Sequence, residues 1–194
     1  MNGALNGEET TMALLHTPAL DETLMAGDFA LKDVSGKTLK LADIKGEKGF
    51  VIAFICNHCP YVKAVIERMV EDFKTLQSEG IGCAAIMPND VKTYPEDSFE
   101  HMVEFAKSHG FTFPYMIDET QGTAKAYGAV CTPDIFGFSK DGVLQYRGRL
   151  DSAGPNPAGP STRRELLDAM RRIAEIGAGP HEQVPSMGCS IKWK

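Results

Sequence analysis

Two cysteines three residues apart, Cys56 and Cys59, are the side chains in this sequence best suited to carry out chemistry. They follow an apolar run at residues 50–55 and precede a segment with helical periodicity, the setting in which a Cys-x-x-Cys pair is typical of a dithiol/disulfide couple. At a helix N-terminus, free N–H groups and the helix dipole stabilise a thiolate on the first cysteine, and the second lies one turn on. The pattern therefore predicts Cys56 as the nucleophile and Cys59 as the resolving thiol.

His58 lies between the two cysteines. A protonated imidazole there would stabilise the Cys56 thiolate and make the disulfide a better oxidant; the alternative is a solvent-facing histidine without a role. The pair could also be half of a zinc site. Zinc needs four ligands, however, and no second Cys-x-x-Cys or close histidine pair follows, since His101 and His109 are eight residues apart. We therefore predict no metal and no other cofactor.

A proline that opens an apolar segment, in Thr132-Pro133, is the second feature. An X-Pro bond is the one peptide bond readily found in the cis form, and a proline at a strand start cannot donate to a ladder. We predict a cis bond beside the cysteine pair. The backbone edge of Thr132 would then be free to bind an extended substrate segment by hydrogen bonds.

Apolar periodicity supplies the elements that must position these residues. An unbroken apolar run predicts a central strand at residues 50–55, and apolar spacings of three and four predict a helix over residues 61–78. A second buried strand at 81–87 completes a right-handed strand–helix–strand unit. The remaining predictions are a hairpin at 29–41, a helix at 98–108, a short strand at 114–117, helical turns at 123–127, a hairpin at 135–149 and a last helix at 161–176.

Composition narrows the class of protein. The chain has 194 residues and a net charge of −6, which argues against a nucleic-acid or anionic-membrane surface. No run of about 18 apolar residues is present, and the first 25 residues lack a basic start and a long apolar block. Five cysteines are an odd number, which does not suit a disulfide framework. We expect a cytoplasmic protein.

Several segments resemble the thioredoxin superfamily, in the redoxin branch of bacterial proteins near the thiol peroxidase and thiol-disulfide isomerase families. They are FICNHCPYVKA, NDVKTYPEDS, YGAVCTP, FGFSKDGVLQYRGRLD and PSMGCSIKWK. The resemblance implies a thioredoxin fold of class α/β, in three α/β/α layers with a central mixed sheet, here with an N-terminal β-hairpin extension. It also implies that Pro133 is cis and faces the disulfide, and that Thr132 pairs its backbone with the substrate.

The sequence departs from this superfamily at three places. Ile55 replaces the tryptophan that thioredoxin carries before the first cysteine. Phe50 stands where thioredoxin has a buried acid, so that acid has no obvious counterpart. The peroxiredoxin pattern Pro-x-x-x-Thr/Ser-x-x-Cys is absent, because Cys59 has Cys56 three residues before it and Ile52 seven before it. A standard peroxidase site is therefore not expected.

Three further cysteines complete the candidates. Cys83 lies within an apolar strand and is expected to be an inert core residue. Cys131 is an additional candidate thiol, because the family fold would place it near the active-site loop; a packed core thiol is the alternative. Cys189, in the terminal segment, is either a mobile resolving thiol or an incidental cysteine.

We thus predict an N-terminal arm at residues 1–25, a thioredoxin-like domain at 26–178 and a C-terminal tail at 179–194. The expected function is thiol-disulfide oxidoreduction by Cys56 and Cys59, with His58 tuning the couple and with Thr132 and Pro133 binding substrate. A thiol peroxidase-like antioxidant protein and a redox-inert or metal-binding module are the alternatives. Expected partners are a disulfide-containing protein or small molecule and a cellular thiol reductant, with no nucleic acid and no membrane.

Overall fold

The structure, a computed structural model, describes residues 13–194. In this part of the chain the strands are β1 Leu14–His16, β2 Ala30–Asp33, β3 Thr38–Lys40, β4 Phe50–Phe54, β5 Gly82–Met87, β6 Tyr115–Ile117, β7 Cys131–Thr132, β8 Asp134–Phe138, β9 Leu144–Arg147 and β10 Met187–Ser190. The helices are α1 Leu41–Ile44, α2 Pro60–Ser78, α3 Phe99–Ser108, α4 Gly122–Tyr127 and α5 Glu165–Ile176, and a 3₁₀ turn covers Pro95–Asp97.

A seven-stranded mixed sheet forms the centre, in the order β3-β2-β6-β5-β4-β8-β9. Strands β4, β5 and β6 run parallel, whereas β8 pairs antiparallel with β4 and β2 pairs antiparallel with β6. The parallel pair β4–β5 is joined through α2, as the predicted strand–helix–strand unit requires. The expected central mixed sheet is therefore confirmed.

Strand β4 is buried on both faces, which explains its unbroken apolar sequence. Successive side chains alternate between faces. Val51 and Ala53 join the core that contains α2, α3 and α5, whereas Ile52 and Phe54 join the core that contains α1 and α4. Helices thus cover both faces of the sheet, and the three-layer prediction is confirmed.

The last helix begins later than its sequence pattern predicts. Expected from residue 161, α5 starts at Glu165, and Arg164 is its N-cap residue without a capping side-chain hydrogen bond. The prediction relied on Ser161 or Thr162 as the cap. Thr162 instead accepts a hydrogen bond from the Gly159 N–H at 2.9 Å, within the preceding loop.

A second sheet of three strands, in the order β1-β10-β7, was not predicted. It joins the two ends of the described chain to the segment before Pro133, since β10 pairs antiparallel with both β1 and β7. Part of the proposed N-terminal arm, residues 1–12, lies outside the described residues. The proposed domain boundaries stay a prediction. No helix among residues 13–194 combines the length and apolar character needed to span a bilayer.

Candidate active site

Cys56 and Cys59 lie in the loop between β4 and α2, and both are buried, at 1% and 0% exposure. Helix α2 starts at Pro60, a residue type favoured at the first helical position, so Cys59 is the N-cap residue. The helix therefore begins after the second cysteine and not at the first. Its free N–H groups are closer in sequence to Cys59 than to Cys56, although the Cys59 side chain makes no capping hydrogen bond to them.

Thr132 lies against both cysteines. The Cys56 Sγ is 3.3 Å from the Thr132 hydroxyl oxygen, and the Cys59 thiol lies 3.2 Å from the Thr132 carbonyl oxygen, within reach to donate to it. The Thr132–Pro133 peptide bond is cis, which confirms that prediction. The structure thus brings together four of the predicted site residues from two distant parts of the chain.

The two thiols of the pair differ in protonation. Their mutual hydrogen bond, followed by burial and by the charge of Asp97, raises the pKa of Cys56 well above its usual value. The same bond lowers the pKa of Cys59 to about 5, against the opposing effect of burial and with help from Cys189. Within the pair, these directions favour the thiolate on Cys59. The assignment of the lower thiol pKa and of the nucleophile to Cys56 stays a prediction, which these pKa directions do not favour.

His58 contacts a carboxylate. Its Nδ1 lies 2.8 Å from Asp97 Oδ2, outside the alignment of a regular hydrogen bond, and its ring stacks on Tyr94 with centroids 5.5 Å apart. Contact with Asp97 raises the pKa of His58 above its usual value, despite the opposing effect of burial. With 17% of its side chain exposed, His58 is not the solvent-facing residue of the alternative interpretation. Its effect on the couple stays a prediction.

Asp97 is a site residue that the sequence analysis missed. Its side chain is completely buried, and Asp97 accepts hydrogen bonds of 2.8 Å from the Asn57 N–H and from the Asn89 side-chain amide. Asn57 is held in turn by the Tyr115 hydroxyl, which donates to its side-chain oxygen at 2.9 Å. A buried carboxylate therefore stands beside the cysteines, supplied by the Pro95–Asp97 turn. Its only signal in the sequence was its place in the segment NDVKTYPEDS.

Three potential metal ligands meet at this point. Ligand atoms of Cys56, His58 and Asp97 lie within 4.8 Å of one another, and thiolate, imidazole and carboxylate are ligands that zinc accepts. Asp97 Oδ2, however, already contacts both His58 and Asn89. A metal ion would have to displace these contacts.

The remaining cysteines separate into two kinds. Cys83 lies on β5 with its thiol facing Phe73 of α2, and Cys131 has its thiol 3.6 Å from the Pro133 carbonyl oxygen; burial raises the pKa of each. Cys189 is different, because its Sγ lies 3.0 Å from the Cys59 Sγ. The structure therefore brings Cys189, and not the candidate Cys131, into sulfur contact with the Cys-x-x-Cys pair.

Strand β10 occupies one backbone edge of β7, with Cys189 opposite Thr132 and Ser190 opposite Cys131. The sequence analysis treated the C-terminal segment as a separate tail and did not predict this pairing. Strand β7 is the last strand of its sheet, so its other edge is not paired with a strand of the described chain. Substrate binding by the backbone of Thr132 stays a prediction.

Comparison with known proteins identifies the family. A model of the AhpC/TSA family matches residues 24–147. The chain belongs to the AhpC/TSA family. Among solved structures, this AhpC/TSA family member is similar to an uncharacterized conserved protein from Geobacillus kaustophilus, with 42% identity, a TM-score of 0.88, and coverage of 94% of this chain and 97% of that one.

Two other proteins extend the comparison of this AhpC/TSA family member. The thioredoxin domain of a thiol-disulfide oxidoreductase from Bacteroides vulgatus has a TM-score of 0.56 at 15% identity, over 66% of this chain and 89% of that one, which shows the thioredoxin fold. The thiol-disulfide oxidoreductase ResA of Bacillus subtilis (strain 168) is 27% identical over 126 residues, 65% of this chain. The chain spans 66% of the length of that relative.

Proposed function

We propose that this protein is a thiol-disulfide oxidoreductase whose redox centre is the Cys56/Cys59 couple. The observation that carries the proposal is the pair of buried thiols that both lie against Thr132, with the pKa of Cys59 lowered to about 5. A thiolate is the nucleophile of thiol–disulfide exchange, and a neighbouring thiol is needed to complete it. The names of ResA and of the Bacteroides protein, both thiol-disulfide oxidoreductases, support the proposal.

Protonation assigns the roles within the couple. Cys59, as the thiolate, attacks one sulfur of a substrate disulfide, which forms a mixed disulfide and releases one substrate thiolate. Cys56 then loses its proton and attacks the Cys59 Sγ, forming the Cys56–Cys59 disulfide and releasing the second substrate thiolate. A cellular thiol reductant restores the dithiol. These roles are the reverse of the sequence-based expectation, because the pKa directions favour the thiolate on the second cysteine.

The proton of Cys56 has an acceptor nearby. Asp97 is buried, and its carboxylate lies with His58 within 4.8 Å of the Cys56 Sγ. Contact with Asp97 raises the pKa of His58, so this imidazole is a stronger base than an isolated histidine. We assign the His58–Asp97 pair the role of taking the Cys56 proton during resolution. The buried acid of thioredoxin would have this proton-transfer role, and Phe50 replaces that acid here.

The surroundings favour a peptide disulfide as substrate. An apolar cavity of about 350 Å³ lies next to Pro133, and its walls include Tyr61, Leu150 and Met187. Apolar walls suit the side chains that flank a cysteine in a peptide better than a small charged disulfide. A disulfide-containing protein substrate and a thiol reductant are therefore the proposed partners, and the cytoplasm is the proposed location.

The test is equilibration of the protein in thiol/disulfide buffers of graded potential. Trypsin releases both cysteines on one peptide, residues 49–63, so a Cys56–Cys59 disulfide lowers that peptide's mass by two hydrogens. We expect the mass shift to follow a single transition with the slope of a two-electron couple. We also expect the protein to accelerate the reduction of a peptide disulfide by DTT, and Cys59→Ser to abolish this acceleration. Cys83→Ser is the matched control and should match wild type. Absence of the intrapeptide disulfide at every potential would reject the proposal.

The metal-binding alternative requires its own measurement, because Cys56, His58 and Asp97 form a candidate cluster. The reduced protein is titrated with zinc while free zinc and reactive thiols are followed. For an oxidoreductase we expect no zinc bound after dialysis against a weak chelator. Stoichiometric zinc that is lost in Asp97→Asn and protects Cys56 from alkylation would favour the metal-binding module instead.

A further inference from the structure

The C-terminal strand β10 brings a third sulfur to the redox centre. It pairs with β7 so that Cys189 lies opposite Thr132, the residue that contacts both Cys56 and Cys59. On its other side it pairs with β1, with Cys189 opposite Leu14. Cys189 is therefore held within a three-stranded sheet and is not on a mobile tail.

Contacts on both sides of Cys189 hold the strand close to β7. The Ser186 hydroxyl donates to the Pro133 carbonyl oxygen at 2.8 Å, and the Ile191 N–H donates to the Val130 carbonyl oxygen at 3.1 Å. Gly188 lies so close to β7 that a Cβ atom there would collide with the Thr132 carbonyl oxygen. Glycine at this position is thus a condition for the approach of Cys189.

Cys59 lies in contact with two thiols at once. The neighbouring Cys56 thiol is the largest cause of its lowered pKa, and the Cys59 Sγ is 3.0 Å from the Cys189 Sγ. A disulfide requires sulfurs about 2.05 Å apart, so a shift of about 1 Å would join Cys59 to Cys189. Both sulfurs are buried, at 0% and 3% exposure, so a disulfide formed between them would be shielded from solvent.

We propose that Cys189 is a third redox residue that exchanges with Cys56 for the bond to Cys59. The proposal rests on the proposed function and extends it. Starting from the Cys56–Cys59 disulfide, the Cys189 thiolate attacks the Cys59 Sγ. The Cys59–Cys189 bond forms, the Cys56–Cys59 bond breaks, and the electron pair leaves on Cys56, which takes up the proton that Cys189 released. No electrons are gained or lost, and the disulfide moves by one sulfur.

The pKa of Cys189 depends on whether the Cys56/Cys59 couple is reduced or oxidised. Burial, and then the hydrogen bond to Cys59, raise the pKa of Cys189 to about 12 in the reduced protein, and Lys192 opposes them. Oxidation of Cys59 removes the negative charge that helps to hold the Cys189 proton. Cys189 is thus a poor nucleophile while Cys59 is a thiolate and a better one after the Cys56–Cys59 disulfide has formed.

Peptide mapping distinguishes the two disulfides. Trypsin places Cys189 on residues 173–192, so a Cys59–Cys189 bond joins that peptide to residues 49–63, whereas a Cys56–Cys59 bond stays within one peptide. The full-length Cys56→Ser variant is oxidised with diamide, quenched with acid, alkylated and digested. We expect it to lose two of its four thiols and to yield the joined peptide.

Matched variants decide the outcome. Cys59→Ser should lose the joined peptide, and so should Cys189→Ser in the Cys56→Ser background, whereas Cys131→Ser, which changes the neighbouring buried cysteine on β7, should retain it. A Cys56→Ser protein that keeps all four thiols, or a joined peptide that survives in Cys59→Ser, would overturn the exchange. Failure of the proposed function is distinguishable, because then neither wild type nor Cys189→Ser forms the disulfide within residues 49–63.

Discussion

The two sides of the cysteine pair differ in chemical character. Cys56 faces a buried polar network centred on the Asp97 carboxylate, which disfavours a negative charge on sulfur. Cys59 caps helix α2 and faces sulfur and backbone groups, with Cys189 3.0 Å away. The pKa of one thiol is thus raised, and that of an identical side chain three residues away is lowered. The difference teaches that the surroundings of each thiol, and not its place in the motif, set its pKa.

The largest effect that this comparison predicts is on reaction with disulfides. If Cys59 carries the thiolate, Cys59→Ser should slow the reaction of the reduced protein with a small aromatic disulfide at pH 7 by roughly a hundredfold or more, because a protonated thiol is a weak nucleophile. Cys56→Ser should slow the reaction less, because it keeps the Cys59 thiol although it raises the pKa of that thiol. Stopped-flow absorbance measures both rates. A slow reaction of Cys56→Ser together with a fast reaction of Cys59→Ser would identify Cys56 as the nucleophile.

Removing the Asp97 carboxylate tests the polar network that Cys56 faces. Asp97→Asn keeps the shape of the side chain but leaves the donors of Asn57 and Asn89 competing for one oxygen, and it removes the partner of His58. We expect the free energy of unfolding in urea to fall by about 3 kcal/mol. The pKa of His58, measured by NMR, should fall as well, since contact with Asp97 is the largest cause of its rise.

The matched control for this substitution is Asp141→Asn, because Asp141 is exposed in the turn between β8 and β9. Its effect on the free energy of unfolding should stay within about 0.5 kcal/mol. An Asp97→Asn protein as stable as this control, with an unchanged His58 pKa, would show that Asp97 does not organise the Cys56 side.

Alkylation across pH sharpens the comparison between the two sulfurs. The pKa of Cys59 is lowered to about 5, so its thiolate fraction grows as pH rises through 5 and is nearly complete at pH 7, while Cys56 stays protonated. Iodoacetamide at pH 6 to 7 should label Cys59 at least about tenfold faster than Cys56, read from fragment ions of residues 49–63.

The same experiment has an internal control. Cys56→Ser replaces the thiol that is the largest cause of the low pKa of Cys59, so the midpoint of the labelling profile should move to higher pH. Cys83→Ser leaves that hydrogen bond in place and should leave the midpoint unchanged. Equal labelling of both cysteines in wild type would contradict the asymmetry described for the pair.

The smallest expected effect concerns His58. Its loss leaves the buried Asp97 charge without its nearest cation, which disfavours the thiolate form and makes the couple more reducing. We expect His58→Ala to lower the potential by about 30 mV at pH 7, the scale of one kcal/mol or slightly more. His181→Ala, at an exposed position, is the control. An unchanged potential between pH 6 and 8 would leave His58 without a tuning role.

Much of the fold was predictable because it follows from local patterns. The strands β4 and β5, the helix α2 and the hairpin β8–β9 lie within a few residues of their expected positions, since their apolar periodicities depend only on which face is buried. Strands β1, β7 and β10 were missed. Each has four residues or fewer, and each owes its existence to pairing with distant segments, which leaves no periodic signal.

The candidate site divides in the same way. The sequence by itself predicted that Cys56 and Cys59 lie together and that Pro133 accompanies them, because spacing along the chain limits how far apart two thiols can lie. Only the tertiary structure decided that Asp97 faces Cys56, that Cys189 contacts Cys59, and in which direction the pKa of each thiol moves. These depend on contacts across 40 to 130 residues of chain, and a pKa responds to charges and burial in space, which the order of residues does not specify.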